Sequence, residues 1–175
     1  DIDRGLASVE ILLNRIPDEE VTLSLDVQLD GKKIRKVTAS TVNRNVTVTI
    51  DMDTRDTFSP VALWTPNHPT LYDLRVQVWD ENEKLDQVDT YFGMRKIEVR
   101  DGIVYLNNDR LYQRLILDQG YWPDTMITPP SDEAIRKDLE WTKKFGFNGA
   151  RKHQKIEDPR YYYWADKMGV LVWGE

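Results

Sequence analysis

The sequence predicts two domains: an antiparallel β-sandwich over residues 1–92 and, over residues 93–175, an α/β segment of about three strand–helix units. Three observations carry this. Apolar and polar residues alternate through the first half, the period of half-buried strands. In the second half, short apolar runs alternate with capped helical segments, the pattern of parallel strands covered on both faces. Each of those apolar runs also ends on polar or charged residues.

The strand-rich "LASVEILL" comes first. "VTLSLDVQL" then puts Val21, Leu23, Leu25, Val27 and Leu29 on one face, "NVTVTIDM" does the same with Val46, Val48, Ile50 and Met52, and "LYDLRVQVW" follows with Leu74, Val76 and Val78. Turn chemistry around Gly31 and from Asp80 to Lys84 separates these runs. Several short strands with no helix between them make an immunoglobulin-like sandwich the default. Its alternation stops near Thr90 to Gly93.

"GIVYLNNDRLYQRLILD" reads as a hairpin turning on Asn107–Asn108, then a strand over Leu115 to Leu117 that ends at Asp118. Ser131 is placed to cap a helix carrying Ile135, Leu139 and Thr142 at helical spacing, with Gly146 as its stop. "FNGARK" is a second strand. Asp158 and Pro159 open a second helix that stops at Gly169, and "VLVW" is a third strand. In α/β folds the carboxyl ends of such strands form the functional edge. Three strands do not close an eight-stranded barrel, so the second domain is expected to be a truncated (β/α) TIM-barrel segment.

Composition narrows the function. Hydrophobic residues make up 40% and charged residues 31%, with a net charge of −6 and no cysteine. That charge argues against nucleic acid or an anionic membrane as partner; disulfides and thiolate chemistry are absent. The run Lys32 to Lys36 reads as a solvated strand edge, and "NVT" at Asn45 as a chance match to a glycosylation acceptor.

Several motifs together resemble glycoside hydrolase family 2, which includes the β-galactosidases, β-glucuronidases and β-mannosidases. "LWTPNHPTLYDL" matches its Leu-Trp-x-Pro-x-x-Pro-x-Leu-Tyr-x-Leu pattern at Leu63, Trp64, Pro66, Pro69, Leu71, Tyr72 and Leu74. "YFGMRKIEV" is similar to the family's Phe-Gly-x-Arg linker, and "FNGARKHQKIEDPRYYYWADKMGVLVWGE" to its first barrel signature. The match runs from about Gly5 to the last residue. The sequence departs from the best-known members after Arg151, where they read Thr/Cys-Ser-His-Tyr-Pro and this chain has Lys152, His153 and Gln154, and after the first strand, where "LDQGYWPD" replaces an Asn-Arg-His stretch.

The resemblance implies a retaining β-glycosidase acting on β-galactoside, β-glucuronide or β-mannoside bonds, with a carbohydrate substrate; no cofactor is expected, and no metal ligand is assigned within these residues. Retaining enzymes use two carboxyl groups about 5–5.5 Å apart. In the family these are glutamates after the fourth and seventh barrel strands, so the chain is expected to stop short of both and to be inactive alone. Asp118 and Glu175 are a substitute pair to be weighed, against the plainer reading of Glu175 as an edge carboxylate that orients other groups. Asp118, Gln119, Trp122, Arg151, His153, Trp173 and Glu175 are the candidate substrate-binding residues. Arg151 is either a guanidinium that serves the substrate site or holds a catalytic carboxylate, or a mouth ion pair; Tyr121, Trp122 and Trp173 offer stacking faces, and Lys152 reads as solvent-facing. The alternative is a non-catalytic sandwich module that binds carbohydrate or protein and carries an α/β remnant. Val170 to Trp173 and Leu115 to Leu117 are expected to expose apolar faces, which favours a homo-oligomer through the second domain.

Overall fold

The computed structural model describes residues 1–53 and 61–174. The chain divides into two compact units, Asp1–Ala62 with Leu71–Met94, and Leu63–Thr70 with the chain from Arg95 onward.

In the first unit β1 (Leu6–Leu12) pairs antiparallel with β4 (Asn45–Asp51). β2 (Val21–Leu29), β3 (Lys32–Thr41), β5 (Tyr72–Asp80) and β6 (Glu83–Phe92) form a second antiparallel sheet in the order β3-β2-β5-β6. The alternation sets the inner faces: Leu23, Leu25 and Val27 of β2 and Ile50 of β4 are wholly buried, alongside Val48, Leu74 and Val76. Two antiparallel sheets with apolar inner faces are consistent with a β-sandwich. β3 and β6 are the sheet's outer strands, and the lysines of the Lys32–Lys36 run are exposed.

In the second unit β7 (Ile97–Arg100), β8 (Ile103–Leu106) and β9 (Asp109–Arg110) form an antiparallel sheet. Its second hairpin turns on Asn107 and Asn108, whose φ of 53° and 70° are those a two-residue turn needs. β10 (Leu115–Asp118), α1 (Asp132–Lys144), β11 (Gly149–Lys152), α2 (Pro159–Met168) and β12 (Leu171–Trp173) follow, with the strands parallel in the order β10-β11-β12. The Ser131 hydroxyl caps α1 by accepting from the Ala134 N–H at 3.1 Å, and α2 opens on Asp158 and closes on Gly169 with φ 70°.

Ile135 and Leu139 of α1, Tyr161 and Ala165 of α2, and Val170 form the buried cluster under the helices. Ile135, Leu139 and Val170 each contribute about 1.5–3 kcal/mol by this burial. This corrects the expectation that Val170 and Leu171 meet water: they are 2% and 8% exposed, and it is the helices that cover Val170. Ile116, Leu117 and Trp173 are the exposed ones, at 37%, 58% and 53%.

Two close approaches fix the parallel sheet and its surroundings. A Cβ on Gly149 would lie 2.5 Å from the Leu171 carbonyl oxygen and 2.6 Å from Leu115 Cδ2. Gly149→Ala is therefore expected to lower stability by about 1–3 kcal/mol in urea denaturation; an unchanged midpoint would show that the strands can part to admit a methyl group. The other approach involves Leu63–Thr70, read from the sequence as part of the first domain but packed within the second unit. Trp64 is buried, its indole Nε1 donates to the Asp166 carbonyl at 2.8 Å, its own carbonyl accepts from Asn107 Nδ2 at 2.9 Å, and the Arg95 guanidinium lies 4.8 Å from the ring. Lys143 Nζ donates to the carbonyls of Pro66 at 3.0 Å and Met168 at 2.7 Å.

Candidate functional site

The carboxyl ends of β10 and β11 bring together four successive-strand residues: Asp118, Gln119, Lys152 and His153. Asp118 and Lys152 are register partners in the parallel pair, so opposite charges face each other across one rung. Lys152 Nζ donates to Asp118 Oδ2 and lies 2.9 Å from Glu157 Oε2. The ammonium also sits 3.8 Å from the centre of the Tyr161 ring. Lys152 is thus 1% exposed, a correction to the reading of it as solvent-facing. Two carboxylates and an aromatic face replace the water a lysine would otherwise need.

The network extends outward. Lys155 Nζ pairs with Glu157 Oε1 at 2.9 Å and donates to the carbonyl of Gly120 at 3.0 Å. It also donates to the carbonyl of Ile127, tying the loop after β10 to the loop after β11. Burial pushes Asp138 of α1 above the usual carboxylate range, and Asp118 and Glu157 add to the shift against the pull of Lys152. Burial likewise raises the Tyr161 phenol, with Asp118, Asp138 and Glu157 acting in the same direction. Asp118 is fully engaged: Oδ2 holds Lys152, Oδ1 accepts the Gly120 N–H at 2.7 Å, and its backbone carbonyl accepts the His153 N–H at 2.9 Å. Exposed Gln119 places its amide nitrogen 2.9 Å from His153 Nδ1.

The other sequence candidates stand apart from this cluster. Arg151 is half-buried and in register with Leu117 and Trp173, and strand alternation puts its side chain on the opposite face from Lys152. Trp122 bridges Met126 through its backbone, and its indole Nε1 is enclosed without a hydrogen-bond partner among the described residues. Tyr121 beside it is exposed, as is Trp173. Glu175, and with it the possible Asp118/Glu175 pair, lies outside the described residues. Sequence reasoning missed Lys155 and Glu157 as members of the site. The available signal was the Asp118–Lys152 rung, whose charges demand compensation once the strands are paired.

A family model described as Glycosyl hydrolases family 2 matches residues 1–95. The chain is 25% identical over 188 residues to a β-galactosidase of Leuconostoc mesenteroides subsp. mesenteroides, covering 98% of this chain and 17% of that protein. It is 29% identical over 165 residues to a β-glucuronidase of Streptococcus agalactiae, covering 92% of this chain and 27% of that protein. The crystal structure of a β-glycosidase from Bacteroides vulgatus superposes with a TM-score of 0.76 at 19% identity, over 97% of this chain and 23% of that one. At that identity the structural likeness is one of fold. The chain spans about a quarter or less of the length of the proteins it matches.

Proposed function

Because this chain belongs to glycosyl hydrolases family 2, we propose that it is the part of a β-glycosidase that carries the immunoglobulin-like sandwich and the first three strand–helix units of the catalytic (β/α) barrel. The whole protein hydrolyses a β-galactoside, β-glucuronide or β-mannoside bond with retention of configuration. What supports this is the carboxyl edge of β10 and β11, where Asp118, Gln119, Lys152 and His153 gather, the edge at which (β/α) folds place their chemistry. The 175-residue chain has no hydrolytic activity of its own: double displacement needs one carboxyl free to donate a proton and one free to attack, and both oxygens of Asp118 are held by Lys152 and Gly120. His153 contacts the sugar, with Arg151, Trp122, Trp173 and Glu175 completing the substrate side.

The test is a panel of aryl β-galactosides, β-glucuronides and β-mannosides, given to the full gene product and to the 175-residue chain. The full product is expected to cleave one of them with the first-formed sugar in the β configuration, and the shorter chain none. Turnover by the 175 residues that disappears with Glu175→Gln would restore the Asp118/Glu175 pair. Sugar binding without cleavage by the full product would establish the binding-module alternative.

We also propose that the 175-residue chain self-associates through its α/β unit. Ile116, Leu117 and Trp173 are exposed apolar side chains on the outer strands β10 and β12, and an unpaired strand edge is a template for a second chain. Light scattering at micromolar concentration is expected to give a mass above 20.6 kDa; a monodisperse monomer would refute it.

A further inference from the structure

We propose that Gln119 is a positioning residue that fixes His153 as its Nε2–H tautomer, so that the imidazole offers a donor to an acceptor oxygen of the sugar. The role in substrate recognition rests on the reading that this sheet edge faces carbohydrate; the tautomer does not. The Gln119 amide nitrogen lies 2.9 Å from His153 Nδ1, and an amide NH2 can only donate. Nδ1 must then present its lone pair, which leaves the single proton of the neutral ring on Nε2. With the amide turned over, its oxygen would demand the opposite tautomer.

The backbone around both side chains is pinned by one residue. Gln119 lies between Asp118 and Gly120, whose N–H donates to Asp118 Oδ1 at 2.7 Å. His153 follows Lys152, whose ammonium holds Asp118 Oδ2, and the His153 N–H donates to the Asp118 carbonyl at 2.9 Å. Both partners of the Gln119–His153 contact therefore hang from Asp118, so their separation is set before any ligand arrives. Such a second layer of contacts is how sites hold a side chain to the tolerance that recognition needs.

The chain contains two histidines, His68 and His153, so the imidazole 15N spectrum of the neutral rings is readable and His68→Gln assigns it. For His153 the expected result is a protonated Nε2 and an unprotonated Nδ1, changing to a tautomer mixture in Gln119→Leu, a substitution at an exposed position. A protonated Nδ1, or a spectrum that Gln119→Leu leaves unchanged, overturns the proposal. In the full-length enzyme, His153→Ala is expected to lower kcat/KM about tenfold, and Gln119→Leu is expected to lower it in the wild-type background but by less than about twofold once His153 is Ala. Equal losses in the two backgrounds would mean that Gln119 does not act through His153. Because the spectrum needs no turnover, it decides the tautomer even for a protein that cleaves no glycoside.

Discussion

Lys152→Met is expected to destabilise the α/β unit by about 3–5 kcal/mol, the range for removing one partner of a buried ion pair. The side chains of Lys152 and Glu157 are each 1% exposed, so the substitution leaves a buried carboxylate without one of its two ammonium partners, with Lys155 and the Asp158 N–H still on Oε1. The double variant Lys152→Met/Glu157→Leu should recover most of the loss, since an apolar pair does not carry the desolvation penalty. Urea denaturation followed by tryptophan fluorescence measures both. A loss below about 1 kcal/mol would put the pair in the class of surface ion pairs.

Acid should close the gap between wild type and Lys152→Met. Burial acts to raise Glu157, but hydrogen bonds from Lys152, Lys155 and the Asp158 N–H outweigh it and hold the carboxyl below its usual range. A lowered folded-state value means stability that is present above the unfolded value and lost as the pH falls through the folded one. Asp138 runs the other way. Its raised value, caused first by burial, gives stability that is full below the unfolded value and lost as the pH rises through the folded one. The Lys152 contribution follows Glu157, so the two proteins should converge at the acid end; a gap that widens there would contradict the assignment.

Trp64→Ala carries the second large effect, about 3–5 kcal/mol for truncating a buried tryptophan. Trp64→Phe should lose less, because it keeps a ring near Arg95 and gives up only the 2.8 Å bond to the Asp166 carbonyl. Unfolding of the α/β unit, followed by the near-ultraviolet signal of its aromatic residues, is the measurement. If Trp64→Ala left that transition in place, the segment Leu63–Thr70 would contribute nothing to the unit it packs in.

Features governed by local chemistry could be read from the sequence. The caps at Ser131 and Asp158, the left-handed Gly169 and the Asn107–Asn108 turn each follow from neighbours within a few residues. The inner face of β2 follows from a period of two, and β6, which buries no side chain fully, shows that period only faintly. What was hidden depends on distant partners. Lys152 looks solvated until Asp118, 34 residues earlier, becomes its rung partner, and Glu157 returns to it through a loop. Trp64 looks like a sandwich residue until Asp166, 102 residues later, accepts its indole proton. Gln119 and His153 are both site candidates in the sequence, but that one side chain meets the other follows only from the parallel pairing of β10 with β11, which sets their ends side by side.

The placement of Leu63–Thr70 bears on how such a protein can be recombined during evolution. A single crossover near residue 92 would look clean by sequence, yet it would deliver a foreign tryptophan segment into the niche formed by Arg95, Asn107 and Asp166. The heritable folding module is discontinuous, eight residues plus everything from Arg95 onward. Exchange of the sandwich between lineages therefore requires two additional breakpoints that leave Leu63–Thr70 behind, or a donor whose tryptophan segment already fits. Grafted sandwiches should succeed or fail according to that short stretch more than according to the match of their strands.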